Sequence, residues 1–157
     1  SSGTRITTNI REDKGYTYSP YSFTSARKQA THWEQTADVT TKDTGASLKE
    51  IFAEIDRLSK GAPPAEEVRS IQNQMAGIFS LQTSSRTGIV GRLTFADIHG
   101  VGDAYLNNFV KNIMSVTPED VRRMTATYLR PDRMTMVVVG DKKTVEPQLA
   151  PWSTAVP

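Results

Sequence analysis

Cysteine is absent from this chain, and histidine occurs only as His32 and His99. The first absence removes disulfides, thiolate metal sites and cysteine nucleophiles, and it leaves the redox compartment open. The second leaves little from which to build a zinc centre. Neither histidine lies in H-x-x-E-H or H-E-x-x-H, the spacings that place two imidazoles on one helix face. His32 falls in an alternating strand pattern and His99 beside Gly100 in a loop, and both read as structural. No apolar run approaches the ~20 residues of a membrane span. Charge of one sign is not in excess either. Nineteen Lys and Arg stand against seventeen Asp and Glu, a net +2, too balanced to argue for nucleic acid or an anionic membrane as partner. No G-x-S-x-G nucleophile elbow occurs. Gly100-x-Gly102 lacks the third glycine of a dinucleotide loop and does not follow a strand. Internal repeats, heptads and low-complexity tracts are missing, and no signal peptide is visible. Ser1-Ser2-Gly3-Thr4 reads as the middle of something longer.

What is present is ordinary in bulk and unusual in one place. The 157 residues are 37% hydrophobic and 23% charged, values of a globular protein with a real core, and the length predicts a single domain over 1–157. The unusual stretch is Arg11-Glu12-Asp13-Lys14-Gly15-Tyr16-Thr17-Tyr18. Thr4 to Glu12 reads as the end of a helix, with Ile6 and Ile10 four apart on one face. Gly15 is a natural stop, because glycine takes positive φ without a steric penalty. The chain then turns aromatic and extended. A helix, a tight turn and a strand together aim Arg11 and Tyr18 towards one place. Arginine offers five donors in a fixed fork, and a phenol adds a compact sixth. Such a pair could hold an extended peptide by its carbonyls or stabilise an oxyanion. The competing reading is a surface arginine paired with Glu12 or Asp13 beside core tyrosines.

Along the rest of the chain, Tyr16–Thr24 and Gln29–Thr40 read as two strands of an antiparallel hairpin, with Pro20 marking an edge or a bulge. Asp43 or Thr44 caps a helix with Leu48, Ile51, Phe52, Ile55 and Leu58 on one stripe; Ser47 with Glu50 is an alternative capping box. Pro64 opens a second helix that buries Val68, Ile71, Met75 and Ile78. A third spans Gly88–Ile98, burying Ile89, Val90, Leu93 and Phe95, with Gly91 allowing close packing. Asp103 caps a fourth through Met114. Thr117-Pro118-Glu119-Asp120 starts a fifth with a hydroxyl cap, a first-turn proline and acids against the dipole. Met134–Val139 is expected as a buried closing strand. The sum is an α+β fold, helices packed on an antiparallel or mixed sheet. Three strands are few for five helices, and the missing ones are expected before Ser1.

These residues carry a resemblance. Gly3-Thr4-Arg5-Ile6 and Asn9-Ile10-Arg11-Glu12-Asp13-Lys14-Gly15-Tyr16-Thr17-Tyr18 resemble a segment of the pitrilysin/insulinase-type (inverzincin) zinc peptidases. Asp38-Val39-Thr40-Thr41-Lys42-Asp43-Thr44, Ser115-Val116-Thr117-Pro118-Glu119-Asp120-Val121 and Val137-Val138-Val139-Gly140-Asp141 continue the likeness in order. Thr4, Ile6 and Ile10 stand where the family has Ser and Leu, and the H-x-x-E-H motif is missing altogether. The resemblance implies a truncated LuxS/processing-peptidase-like α/β sandwich, the C-terminal, non-metal domain of such an enzyme. It implies no cofactor in this chain, with zinc in the full enzyme or a partner. It also implies that Arg11 binds substrate backbone carbonyls and that Tyr18 donates to the scissile carbonyl or its oxyanion. The expected partners are an unfolded or extended peptide and a zinc-bearing N-terminal domain or subunit. Self-association is expected through an exposed sheet edge. Alone, the chain should be inactive; the alternative is a non-catalytic scaffold subunit of the same family.

Overall fold

The computed structural model describes residues 4–152. A π-helix at Thr7–Asp13 is followed by strands β1 (Tyr21–Ala26) and β2 (Thr31–Thr36). Helices α1 (Thr44–Lys60), α2 (Ala65–Thr83), α3 (Arg86–His99), α4 (Gly102–Asn107), α5 (Phe109–Met114), α6 (Pro118–Tyr128) and α7 (Lys142–Leu149) complete the order. The fold is α+β, mostly helical with a two-stranded antiparallel sheet. The chain forms two compact units, one of residues 1–25, 32–57 and 127–157, the other of 26–31 and 58–126.

The first unit is built on the N-terminal helix. Lys14 N–H reaches five residues back to the Asn9 carbonyl at 3.2 Å, the widened turn of a π-helix. Gly15, at φ 64°, then reverses the chain. Its N–H donates to the Arg11 carbonyl at 3.2 Å, and Tyr16 N–H donates to the Ile10 carbonyl at 2.8 Å, so the helix end is satisfied. The hairpin starts later than the sequence suggests. Pro20 has no N–H to give, and the ladder of β1 begins only after it, at Tyr21. Upstream of the proline the two chains touch through a single antiparallel bridge, Thr17 to Val39. In β2, half-buried Trp33 and Gln35 alternate with exposed neighbours, as the period of two requires.

Ile10, fully buried, meets Ile51 and Ile55 of α1, and Ile6, Tyr16, Trp33, Phe52, Leu129 and Met134 close around them. Each isoleucine contributes about 1.5–3 kcal/mol by leaving water. Neither Asp43 nor Ser47 caps α1. The helix is entered through a 3-10 turn at Thr41–Asp43, in which the Thr40 hydroxyl donates to Asp43 and the Thr44 hydroxyl donates to the Thr41 carbonyl. At the far end of the chain α7 docks through one side chain: Gln148 accepts from Gly45 N–H at 2.9 Å and donates to the Thr41 carbonyl at 2.9 Å. Trp152 stacks on Phe52, ring centroids 4.8 Å apart.

The expected closing strand is corrected. Met134–Val139 forms no ladder, and Val137 and Val139 are 80% and 94% exposed. Its β-branched residues favour extension locally, but burial needs a neighbouring strand, and no described residue supplies one.

The second unit is helical. Its inward face on α2 runs through Val68, Gln72, Ala76, Phe79 and Thr83. Ile71, Met75 and Ile78, expected to be buried, lie on the exposed flank. Two apolar stripes compete on this helix, and the buried Gln72 amide selects one by donating to the Ile113 and Val116 carbonyls, each at 2.9 Å. Ile89, Val90 and Leu93 of α3 are likewise exposed, and Ala96 is its buried residue. Phe79 stacks on Phe109 at 4.4 Å, and the Arg92 guanidinium lies 5.4 Å from both ring centroids. The helix expected from Asp103 to Met114 is two short ones. It breaks at Asn108, whose amide bonds the Ala104 carbonyl at 2.9 Å and competes with the helix. Close packing falls at Gly88, where a Cβ would lie 1.6 Å from the Gln82 carbonyl oxygen; nothing lies within 4 Å of one at Gly91.

The start of α6 is as the sequence reads. Asp120 N–H donates to the Thr117 hydroxyl at 3.1 Å, and Thr117 N–H donates back to the Asp120 carboxylate at 3.0 Å. Hydrogen bonds from Thr117, then Arg123, hold the Asp120 pKa down to about 2. A folded pKa below the unfolded value of about 3.9 stabilises the fold above that value and stops doing so as pH falls towards 2. Asp120→Ala should therefore lower the melting temperature at pH 7, and the gap from wild type should close between pH 4 and 2 in circular-dichroism melts. Gly88→Ala should lower the urea midpoint sharply, while Gly91→Ala should raise stability by about 0.5–1 kcal/mol.

Candidate functional site

Arg11 is carried by the last turn of the π-helix and Tyr18 by the extended chain just past Gly15. The two meet: the Arg11 guanidinium carbon lies 4.9 Å from the Tyr18 ring centroid, over its face. Arg11 is half-buried and ion-pairs with neither Glu12 nor Asp13 among the described residues. Tyr18 is 80% exposed, and its hydroxyl makes no hydrogen bond among those residues. Between them Thr17 is buried and fixed, its hydroxyl donating to the Asp38 carbonyl at 2.7 Å. The corner thus presents a stacked cation and a phenol whose hydrogen-bonding capacity faces outward. Stacking holds the guanidinium plane while leaving its edge donors available, which suits planar acceptors such as peptide carbonyls or carboxylates.

Beneath this corner lies a polar network that the sequence reading did not find. Asn9 is buried, and its amide donates to Glu50 at 3.0 Å and to Glu54 at 2.7 Å. Glu54 is buried and also meets Arg57 at 3.0 Å, while Lys14 lies 3.5 Å from Glu50. The Asn9 hydrogen bond, followed by the Lys14 charge, lowers the Glu50 pKa below its ordinary value against the effect of burial. Glu50 and Glu54 stand one helical turn apart between apolar positions of α1, the only hint the sequence offered.

The histidines lie elsewhere. His32 is exposed, 3.9 Å from Glu34, and the His99 ring packs 4.2 Å from Phe95. Among the described residues no group of three or more His, Cys, Asp or Glu is arranged to hold a metal. No helix among them is long and apolar enough to cross a membrane.

Comparison with known proteins gives a likeness over part of the chain. Residues 1–75, which include the whole corner, match the sequence model of the peptidase M16 inactive domain. The fold matches a crystal structure of the peptidase M16 inactive domain from Pseudomonas fluorescens at 27% identity and a TM-score of 0.72. In its first 75 residues and in its fold, the chain is thus similar to the inactive, C-terminal domain of the pitrilysin-like M16 family. A protease from Helicobacter pylori shares the fold at a TM-score of 0.67 with 14% identity. Both alignments cover 83% of this chain, which spans only 31% and 32% of those structures. No curated protein matches the chain. The matched segment carries Arg11, Tyr18 and the Asn9 network together.

Proposed function

We propose that this chain is an M16-type domain, the substrate-holding C-terminal portion of a zinc endopeptidase. The observation that carries this reading is the Arg11–Tyr18 corner: a guanidinium stacked on an exposed phenol, engaged by neither neighbouring carboxylate. Arg11 donates to backbone carbonyls of an extended peptide. Tyr18 donates to the carbonyl oxygen that becomes an oxyanion, a donor typically contributing about 2.7–4 kcal/mol in the transition state. The metal and the catalytic glutamate belong to a zinc-bearing N-terminal domain or subunit that closes on the same peptide. The second reading, a scaffold subunit that kept the fold, fits the inactive-domain family and needs neither side chain.

Activity separates the two. Mixed with a zinc-bearing M16 partner, wild type should restore cleavage of a quenched extended peptide, and Arg11→Ala and Tyr18→Phe should each lower the rate roughly a hundredfold or more. Variants that match wild type leave the scaffold reading. Self-association belongs to the same proposal, supported by the unpaired run Met134–Val139, in which Met136, Val137 and Val139 are exposed. Sedimentation velocity should show a mass that rises with concentration, and a constant monomer mass would remove this part of the proposal.

A further inference from the structure

We propose that Asn9 is a positioning residue that aims Arg11, an inference that rests on the peptide-holding reading above. Asn9 and Arg11 share one short helix, two residues apart. The two positions lie about half a helical turn apart, so they project from nearly opposite sides of it. Asn9 faces α1, and both hydrogens of its amide are committed there, one to Glu50 and one to Glu54. Its own carbonyl accepts the Lys14 N–H that defines the widened turn. Lys14 in turn reaches back to Glu50, so the turn is tied to α1 at both ends. With Asn9 pinned inward, rotation of the helix is blocked, and Arg11 is held over the Tyr18 ring.

The residue type follows from the acceptors. Glu54 is 6% exposed, so its side-chain oxygens need hydrogen-bond donors from the protein. An aspartate at position 9 would offer a third carboxylate to two others. A leucine would fill the space and remove one donor from each carboxylate, leaving Glu54 with Arg57 and Glu50 with Lys14. Only a short side chain with two donors satisfies both glutamates from this distance. Ile10 secures the helix against the core, but an apolar contact tolerates sliding and rotation that two directed hydrogen bonds do not.

The test uses the chain at pH 7 with three readouts: circular dichroism for folding, anisotropy of a fluorescent extended decapeptide for affinity, and the NMR signal of Arg11 Nε–H. That signal is shifted by the Tyr18 ring current when the guanidinium is stacked, whether or not peptide binds. Asn9→Asp should keep the helical signal, release the Arg11 signal from the ring current and weaken the peptide about tenfold or more. Asn9→Asp with Glu54→Gln restores a donor and an acceptor in reversed order, and should recover both readouts in part. An Arg11 signal and affinity unchanged in folded Asn9→Asp overturn the proposal. Losses that merely track the unfolded fraction, with no recovery in the double variant, overturn it as well. Should wild type bind no peptide while the Arg11 signal still responds to position 9, the peptide-holding reading fails and the positioning role stands.

Discussion

Burial of one short helix against α1 is the contact on which the rest of the first unit depends. Ile10 has no exposed surface, and the side chains around it come from both ends of the chain: Ile6, Trp33, Phe52, Leu129 and Met134. Hydrophobic burial is not directional, so it fixes the helix in place without fixing its rotation. The Asn9 amide between Glu50 and Glu54 adds the direction. Gly15 then turns the chain at positive φ, and the Thr17–Val39 bridge receives it. Arg11 and Tyr18 are brought together by these four constraints acting in sequence.

Where the chemistry is local, the sequence was readable. Gly15 closes the helix because few other residues adopt its backbone conformation. Thr117-Pro118-Glu119-Asp120 starts α6 because its cap is complete within four residues. The likeness to the M16 inactive domain was carried in the same way, by the short segments between Gly3 and Thr44 that lie inside the matched stretch, and the α+β class was legible with it.

Readings that depended on distant partners went astray. An apolar stripe at Ile71, Met75 and Ile78 shows that a face can be buried, and the buried polar Gln72 decided that another face is. Periodicity cannot anticipate that choice, because it scores the glutamine as surface. Met134–Val139 has the composition of an interior strand yet pairs with nothing among the described residues. Extension follows from its own side chains, whereas a ladder requires another segment. The Asn9 network was hidden for a related reason, since buried carboxylates on an amphipathic helix read as its solvated face.

The claim that matters most is that Arg11 and Tyr18 act on peptide as one unit. Its most direct test is NMR of the chain with selectively labelled arginine and tyrosine, titrated with an unlabelled extended peptide. The account predicts that the Arg11 side-chain signal and the Tyr18 ring signals shift together along one binding curve, while His32 and His99 stay in place. Peptide that binds while leaving Arg11 and Tyr18 unmoved would contradict it.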